Sequence, residues 1–401
     1  MRLVSCAAVV SSHPVPSMKL VLLGCGFHGR GIAYQLARSE AVELRVLDRD
    51  ASRASAVGVK AGVPWQTIDV TDHDGLRAVL AGADAVVNAV GPYHQTALGV
   101  IEAAIDAGIH YVDMNDDHEV AEALLLDPAW DERARRAGVT VLIDCGVVPG
   151  LSGLLVRHAG EQLDRTERVA IRFAWNYNRE YPAAIQHFLR INSGEGPQYV
   201  AGEYARMRPF EGREDVDFQP PIGRTGVYFT GVPDPVAIAR FVPGVQNATA
   251  KGAFYQPEAN RLMEDMVRWG FTSYGPPAAQ TPSPMEFLLT FLGSPQGERY
   301  FDIPRHELPL ALRVEVEGSR SGAPTTLYYE AHDHSRRATT TFTALAALAV
   351  ANRELAPGVL APEAWPHPGR FLRALLEDRH IRILQWRDQE RPRPLVLDAM
   401  R

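Results

Sequence analysis

One short stretch near the start constrains the fold more than any other. Lys19-Leu20-Val21-Leu22-Leu23 is an apolar run of strand character, and it leads into Gly24-Cys25-Gly26-Phe27-His28-Gly29. Arg30 to Arg38 follows with Ile32, Ala33, Leu36 and Ala37 on one helical face, and Val42 to Asp48 reads as a second strand ending in an acid. Strand, GxGxxG, helix, strand and terminal acid in that order specify a dinucleotide-binding βαβ unit. Each residue type has a task. Gly24 permits the tight turn out of the strand, Gly26 leaves bare backbone for a pyrophosphate, and Gly29 lets the helix pack closely on the sheet. The helix N-terminus adds N–H donors and the positive end of its dipole. Asp48 stands where a carboxylate receives ribose hydroxyls, which favours NAD. Arg49 beside it suits the 2'-phosphate of NADP, so the expected cofactor is NAD or NADP, with NAD slightly favoured.

The alternation continues. Thr67 to Val70, Ala85 to Val90, His110 to Asp113 and Val139 to Asp144 read as strands. Asp72 to Leu80, Thr96 to Ala107, and Glu119 to Arg136 with a break near Pro128 read as helices, with Gly108 and Gly138 as stops. Strands alternating with helices predict an α/β fold with a parallel, doubly wound sheet, a Rossmann domain over residues 18–150. In such sheets ligands sit beyond the carboxyl ends of the strands. Asp69, Asn88, Gly91 and Pro92 fall at those ends and join Gly24, Gly26, Phe27, His28, Gly29, Asp48 and Arg49 as the expected cofactor-binding set.

Three loops at the strand ends can carry chemistry: 91–96, 113–118 and 144–150. Tyr93 and His94 follow the fourth strand, and histidine is the side chain whose ordinary pKa lies nearest neutrality. Asp113, Asp116 and Asp117 crowd one loop. Close carboxylates raise one another's pKa and can hold an ammonium, while Asp116 or Asp117 can equally cap the helix that follows. Tyr93, His94 and Asp116 are therefore the catalytic candidates and Asp117 a substrate-binding one. Cys145 reads as a nucleophile or, with no activating base beside it in sequence, as a buried structural thiol.

The motifs GCGFHG, NAVGPYHQT, HYVDMNDD and DCGVVPGLSGLL, with Gly358-Val359-Leu360-Ala361-Pro362-Glu363 near the end, resemble the saccharopine dehydrogenase-like family. That family, in its broad sense, includes saccharopine reductase, lysine 6-dehydrogenase and carboxynorspermidine dehydrogenase. The resemblance is close in the first half and loose over residues about 170 to 340. It implies NAD(P)-dependent oxidoreduction at a C–N bond of an amino-acid-like substrate, a position beside the nicotinamide for Tyr93, and a homodimer. It also implies that the C-terminal helices return to the Rossmann domain.

From Glu167 the texture changes to an α+β substrate or dimerisation domain, residues 151–338, expected to cover the open face of the cofactor. Arg168 to Trp175, 226–229, Val236 to Phe241, Leu310 to Glu317 and Thr325 to Ala331 read as extended, the last two as a hairpin around 319–323. Tyr181 to Ser193 and Glu258 to Trp269 read as helices, and Pro276 to Pro284 as a proline-rich loop. Arg190, Asn192, Arg224 and Lys251 are candidate anchors for a substrate carboxylate. Residues 339–401 read as a C-terminal helical segment, with Thr339-Thr340-Thr341 as a cap ahead of a helix from Phe342 to Leu355.

The bulk numbers exclude other classes. A chain of 401 residues is too long for one ordinary core. A net charge of -7 argues against nucleic acid, and no apolar run approaches the roughly 20 residues that span a bilayer. Three separated cysteines, Cys6, Cys25 and Cys145, make neither a disulfide framework nor a metal site, which suits the cytoplasm. Residues 1–17 read as a disordered tail, or as the result of a start assigned too early, with Met18 the true one. Two rivals remain. A sugar-type Rossmann oxidoreductase carries Glu-Lys-Pro where this chain has Asp113-Met114-Asn115, which counts against it. A non-catalytic dinucleotide sensor would keep the glycines and lose the polar loops.

Overall fold

The computed structural model describes residues 17–176, 188–273, 282–292, 294–296, 308–334 and 337–397. The chain divides into two compact units. The first comprises the described residues up to Asn115, Glu119–Leu151 and Arg337–Asp378, and the second Asp116–His118 with those of Ser152–Arg336 and Arg379–Arg401.

In the first unit β1 (Met18–Leu23), β2 (Val42–Asp48), β3 (Trp65–Thr67), β4 (Ala85–Asn88), β5 (His110–Asp113), β6 (Thr140–Leu142) and β15 (Gly358–Leu360) form one sheet. The order is β15-β6-β5-β4-β1-β2-β3, and every pairing is parallel. The connections reverse direction between β1 and β4, the switch point where doubly wound sheets bind ligands. Helices α1 (Phe27–Leu36), α2 (Ala51–Ala61), α3 (His73–Leu80), α4 (Tyr93–Asp106) and α6 (Pro128–Ala137) belong to this unit, with α5 (His118–Leu125) between the last two. Their ends follow local chemistry. Asp50 caps α2 through the amides of Ser52 and Arg53, Asp72 caps α3 through Gly75, and Asp127 caps α6 ahead of Pro128. Gly62 and Gly138 end α2 and α6 in the left-handed conformation.

The core on one face of the sheet joins Leu20, Leu22, Val46 and Val87 to Ile32, Ala33 and Leu36 of α1, and to Ala344 and Ala347 of a return helix, Ala338–Ala351. α1 and the return helix meet closely: a Cβ on Gly31 would lie 2.8 Å from Thr340 Cγ2, and Gln35 donates to Thr341 Oγ1 at 2.8 Å. The threonine triplet thus sits inside the helix and does not cap it. Thr340 donates to Arg337 O and Thr343 to Cys145 O, so the hydroxyls serve packing and loop attachment. The C-terminal segment divides at Asp378. Residues after it form β16 (Ile381–Arg387) and β17 (Arg393–Pro394) in the second unit, where a helical segment was expected.

The second unit is built on a ten-stranded mixed sheet. Its strands are β7 (Arg165–Trp175), β8 (Gly196–Val200), β9 (Glu203–Met207), β10 (Glu214–Phe218), β11 (Gly223–Phe229), β12 (Asn247–Phe254), β13 (Leu310–Arg320), β14 (Ala323–Asp333), β16 and β17. Along β7, β13 and β14 the side chains alternate. Val169, Ile171, Val314, Val316 and Tyr329 make one buried apolar face. The opposite face carries a transverse row in register, Lys251, Arg172, Arg313 and Glu330. Arg313 Nε donates to Glu330 Oε2 at 3.0 Å, and His332 Nε2 meets Glu330 Oε1 at 2.7 Å, all three residues being buried.

One element differs in type from its expectation. Asp234–Phe241 is a helix, with Pro235 in its first turn, where an extended segment over Val236 to Phe241 was expected. A short apolar run has no period that separates strand from helix, and packing on β8 and β12 decides the matter. The expected helix over Tyr181 to Ser193 and the proline-rich loop lie largely outside the described residues.

Candidate functional site

The glycine turn shows three different reasons for glycine. Gly24 has φ +92°, and a Cβ there would lie 2.6 Å from the carbonyl oxygen of Ala89 after β4. At Gly29 a Cβ would fall 1.9 Å from Gly24 O, so only glycine lets α1 start against the turn. Gly26 has an ordinary φ of -71°, and a Cβ there meets nothing within 4 Å. Neither strain nor protein packing demands glycine at this position, and open space over bare backbone is what a diphosphate requires. Gly26 is the N-cap of α1 with no side-chain capping bond, and the first turn carries no acid.

Asp48 ends β2 and is 8% exposed. Its Oδ2 accepts from Cys25 N at 2.7 Å and its Oδ1 from Asp50 N at 2.9 Å, so the acid ties the glycine turn to β2. A carboxylate has about four lone-pair directions, and two bonds leave capacity for ribose hydroxyls. Arg49 is exposed and acts electrostatically on Asp69, whose carboxylate also accepts from Thr71 N and Oγ1 and is held below its usual range chiefly by that backbone bond. Phe27 is exposed, with the Arg30 guanidinium over its ring at 5.3 Å, and His28 is half-buried. Burial, assisted by Asp48, pushes the Cys25 thiol up to about 12, so it stays protonated.

At the ends of β4, β5 and β6 a buried polar chain links the loops. Asn88 Nδ2 donates to Tyr111 Oη at 3.0 Å, and Tyr111 donates to Asp113 Oδ2 at 2.8 Å. Asp113 Oδ1 accepts from the amides of Asn115 and Asp144, each at 3.0 Å, and Asn115 Nδ2 donates to Asp144 Oδ1 at 2.9 Å. Asp113 therefore fastens two of the three loops to each other. Its partners Tyr111, Asn115 and Asp144 were not singled out from sequence, although Tyr111 and Asp113 share a strand face at i, i+2. Gly91 and Pro92 are exposed beyond β4. Tyr93 opens α4, is buried, and donates to Asn88 O at 3.3 Å, while His94 is half-buried with Nε2 3.3 Å from Gln95 Nε2. Cys145 is fully buried and its thiol is raised well above its ordinary range by desolvation, with Asp113 adding to the effect, which fits the structural reading.

The second unit holds the remaining candidates. Asp116 is half-buried, and Asp117 and His118 are buried. The Gly231 backbone comes so close that a Cβ there would lie 2.1 Å from Ile191 O and 3.3 Å from His118 Cδ2. Nearby in sequence lies Asp234, fully buried, with Ser152 Oγ of α7 (Leu151–Gly160) donating to its Oδ1. Burial raises the Asp234 carboxyl to about 7, with Asp116 adding to the shift. Sequence reading passed over Asp234; its only local sign is a carboxylate between two prolines in an apolar stretch. Arg190 is half-buried, and Asn192 donates to Phe188 O at 2.9 Å. Arg224 and Lys251 are placed elsewhere. Arg224 is exposed on the β10–β11 hairpin and pairs with Asp215 at 2.9 Å, and Lys251 pairs with Glu214 at 2.8 Å over the Phe229 ring. Those ion pairs answer both charges within the chain.

Comparison with known proteins follows the same division. Residues 20–142 match the saccharopine dehydrogenase NADP binding domain. Carboxyaminopropylagmatine dehydrogenase of a Synechocystis species is 22% identical over 346 residues, covering 79% of this chain and 82% of that protein. The NADP-dependent, L-glutamate-forming saccharopine dehydrogenase of Saccharomyces cerevisiae is 28% identical over 154 residues, only 31% of its own length. The apo structure of the L-glutamate-forming saccharopine dehydrogenase from the same yeast superposes with a TM-score of 0.69 at 14% identity, over 93% of this chain and all of that one. Homospermidine synthase from Legionella pneumophila, solved with NAD, gives 0.57 at 10% identity over 92% and 91%. At such identities the structures speak for a shared fold.

Proposed function

We propose, from the match of residues 20–142 to the saccharopine dehydrogenase NADP binding domain, that the protein is a NAD(P)-dependent oxidoreductase acting at a C–N bond. The substrate is amino-acid-like, and the reaction is reduction of an imine or oxidation of the corresponding amine. The observation that carries the reading is the turn at Gly26, where a Cβ would meet nothing within 4 Å although one at Gly24 or Gly29 would strike backbone. A bound nicotinamide supplies or receives the hydride. The chain binds the diphosphate with the 24–29 turn and the α1 terminus, and the ribose with Asp48 at the end of β2. Arg49 is the residue that would meet a 2'-phosphate.

The chain must also orient the nitrogen and manage one proton. His94 and Asp116, both half-buried, are the proton handlers we assign, and Asp117 supports the substrate. Tyr93 positions the end of β4, because its hydroxyl is committed to Asn88 O. A name such as carboxyaminopropylagmatine describes an amine that also bears a carboxylate, which supports the substrate class. The test is to incubate the protein with NADH or NADPH and pairs of amines or amino acids with 2-oxo acids or semialdehydes. Absorbance at the reduced nicotinamide band should fall and a secondary amine should appear by mass. A protein that binds the cofactor yet oxidises none across a broad panel would return the reading to a dinucleotide sensor.

A further inference from the structure

Among the described glycines, only Gly26 and Gly91 have neither a left-handed φ nor any atom within 4 Å of where a Cβ would stand. A glycine in ordinary backbone with no packing neighbour loses more conformational entropy on folding than alanine does and contributes nothing to the fold. The diphosphate accounts for Gly26. Gly91 is exposed just beyond β4, and β4 lies beside β1 on the side away from β2. That strand order directs a bound dinucleotide. With its adenosine ribose at Asp48 on β2 and its diphosphate at the turn after β1, its remaining half, the nicotinamide riboside, extends over the end of β4.

Buried groups fix the segment that carries Gly91. Asn88 Oδ1 accepts from Val90 N at 3.0 Å, and Val90 O accepts from Thr96 Oγ1 at 3.0 Å, so the residue before Gly91 is held at both its amide and its carbonyl. The Asn88 carbonyl takes the Tyr93 hydroxyl at 3.3 Å. The other half of the Asn88 amide, Nδ2, donates to Tyr111 Oη at 3.0 Å, and Tyr111 donates onward to Asp113 Oδ2 at 2.8 Å. A phenol has one hydrogen, so giving it to Asp113 leaves Tyr111 an acceptor toward Asn88 and fixes which way the Asn88 amide faces. Asn88, Tyr111 and Asp113 are fully buried, which keeps water from replacing any of them. At the far end Asp113 holds the amide of Asp144, a non-glycine residue at φ +65°. We propose that the Gly91 backbone receives the nicotinamide riboside half of the cofactor, and that Tyr111 is the positioning residue that sets Gly91 through Asn88. This deepens the proposed oxidoreductase reading and rests on it for the identity of the ligand.

The experiment uses the full chain and compares whole dinucleotides with a fragment that lacks the nicotinamide riboside. NADH and NADPH are titrated calorimetrically beside ADP and 2'-phospho-ADP, and thermal melts are taken without ligand. Gly91→Ala should weaken dinucleotide binding by about tenfold or more while the ADP affinities stay within about twofold of wild type. The same variant should melt at a higher temperature than wild type, because alanine restricts the unfolded chain and meets nothing in the folded one. Binding and stability then move in opposite directions. Tyr111→Phe keeps the ring and removes the hydroxyl, leaving Asn88 Nδ2 and Asp113 Oδ2 without that partner, so it should melt lower. It should also weaken the dinucleotides by about tenfold and spare the ADP forms, whereas a residue that merely held up the fold would weaken both alike.

Wild-type dinucleotide affinity in Gly91→Ala would overturn the contact, and the same result in Tyr111→Phe would overturn the positioning role. Equal losses for dinucleotide and ADP would overturn either assignment as a general effect on the fold. A Tyr111→Phe chain that does not fold would remove the positioning role and leave Gly91→Ala to decide the contact. If NAD(P)H-linked amine chemistry is found while both variants bind as wild type does, the inference falls and the oxidoreductase reading stands. If the selective losses appear but no substrate pair consumes NAD(P)H, the oxidoreductase reading falls and the inference stands. A wild-type chain that binds no dinucleotide removes both.

Discussion

Single residues in the glycine turn separate folding from binding. Gly26→Ala adopts the existing backbone without strain and meets no atom, so it should cost less than about 1 kcal/mol of stability. A methyl group in the diphosphate's place should nonetheless weaken NAD(P)H binding at least ~10-fold, about 1.4 kcal/mol. Gly29→Ala drives a methyl into Gly24 O, backbone against backbone, and should lower stability by about 1–3 kcal/mol as well as abolish binding. Thermal melts with and without cofactor distinguish the two; equal melting loss in both variants would refute the distinction. Asp234 gives a pH-dependent case. Its folded pKa is raised, so its ionisation opposes folding increasingly as pH rises from about 4 through about 7. Asp234→Asn should therefore gain melting temperature relative to wild type at pH 8 and not at pH 5.

At the scale of elements, the transverse row on the second sheet is the most sensitive part. Glu330 is fully buried and takes Arg313, His332 and the amide of Gln219. Arg313 also lies between the rings of Phe218 and Trp386 at 5.4 and 5.3 Å. Removing one member of a buried ion pair leaves the other uncompensated, at about 3–5 kcal/mol. Glu330→Ala should therefore destabilise by that amount, while Glu390→Ala, which breaks an exposed pair with Arg387, should change stability by less than about 1 kcal/mol. Urea unfolding measures both; similar midpoints would contradict the burial argument. In the first unit, α1 and the return helix meet at Gly31 and Thr340, a contact between residues 309 positions apart that no local pattern announces.

For the whole molecule, each unit carries a histidine that resists protonation, His110 buried and His158 half-buried. His110 Nδ1 accepts from Thr140 N at 3.0 Å, and His158 Nδ1 meets Tyr329 Oη at 2.9 Å. Desolvation is the leading cause that holds both below 6.5. The unfolded chain then binds protons that the folded chain refuses, so the stabilisation present above about pH 6.5 is lost as pH falls through the folded values. Melting temperature should drop below pH 6.5, and His158→Gln should flatten part of that slope. An unchanged slope in that variant would remove His158 from the account.

The βαβ unit, the parallel alternation and the glycine turn were readable from residue order, because their causes are local: side-chain period, backbone freedom and the reach of one turn to the next strand. What order left open is decided at long range. Val236 to Phe241 became helical through its packing on β8 and β12. Arg224 and Lys251, read as substrate anchors, found carboxylates on a neighbouring hairpin strand. Asp234 acquired its neighbour Ser152 from 82 positions away. A charge's meaning depends on which group lies opposite it and how much water remains. Both are settled only when distant segments pack.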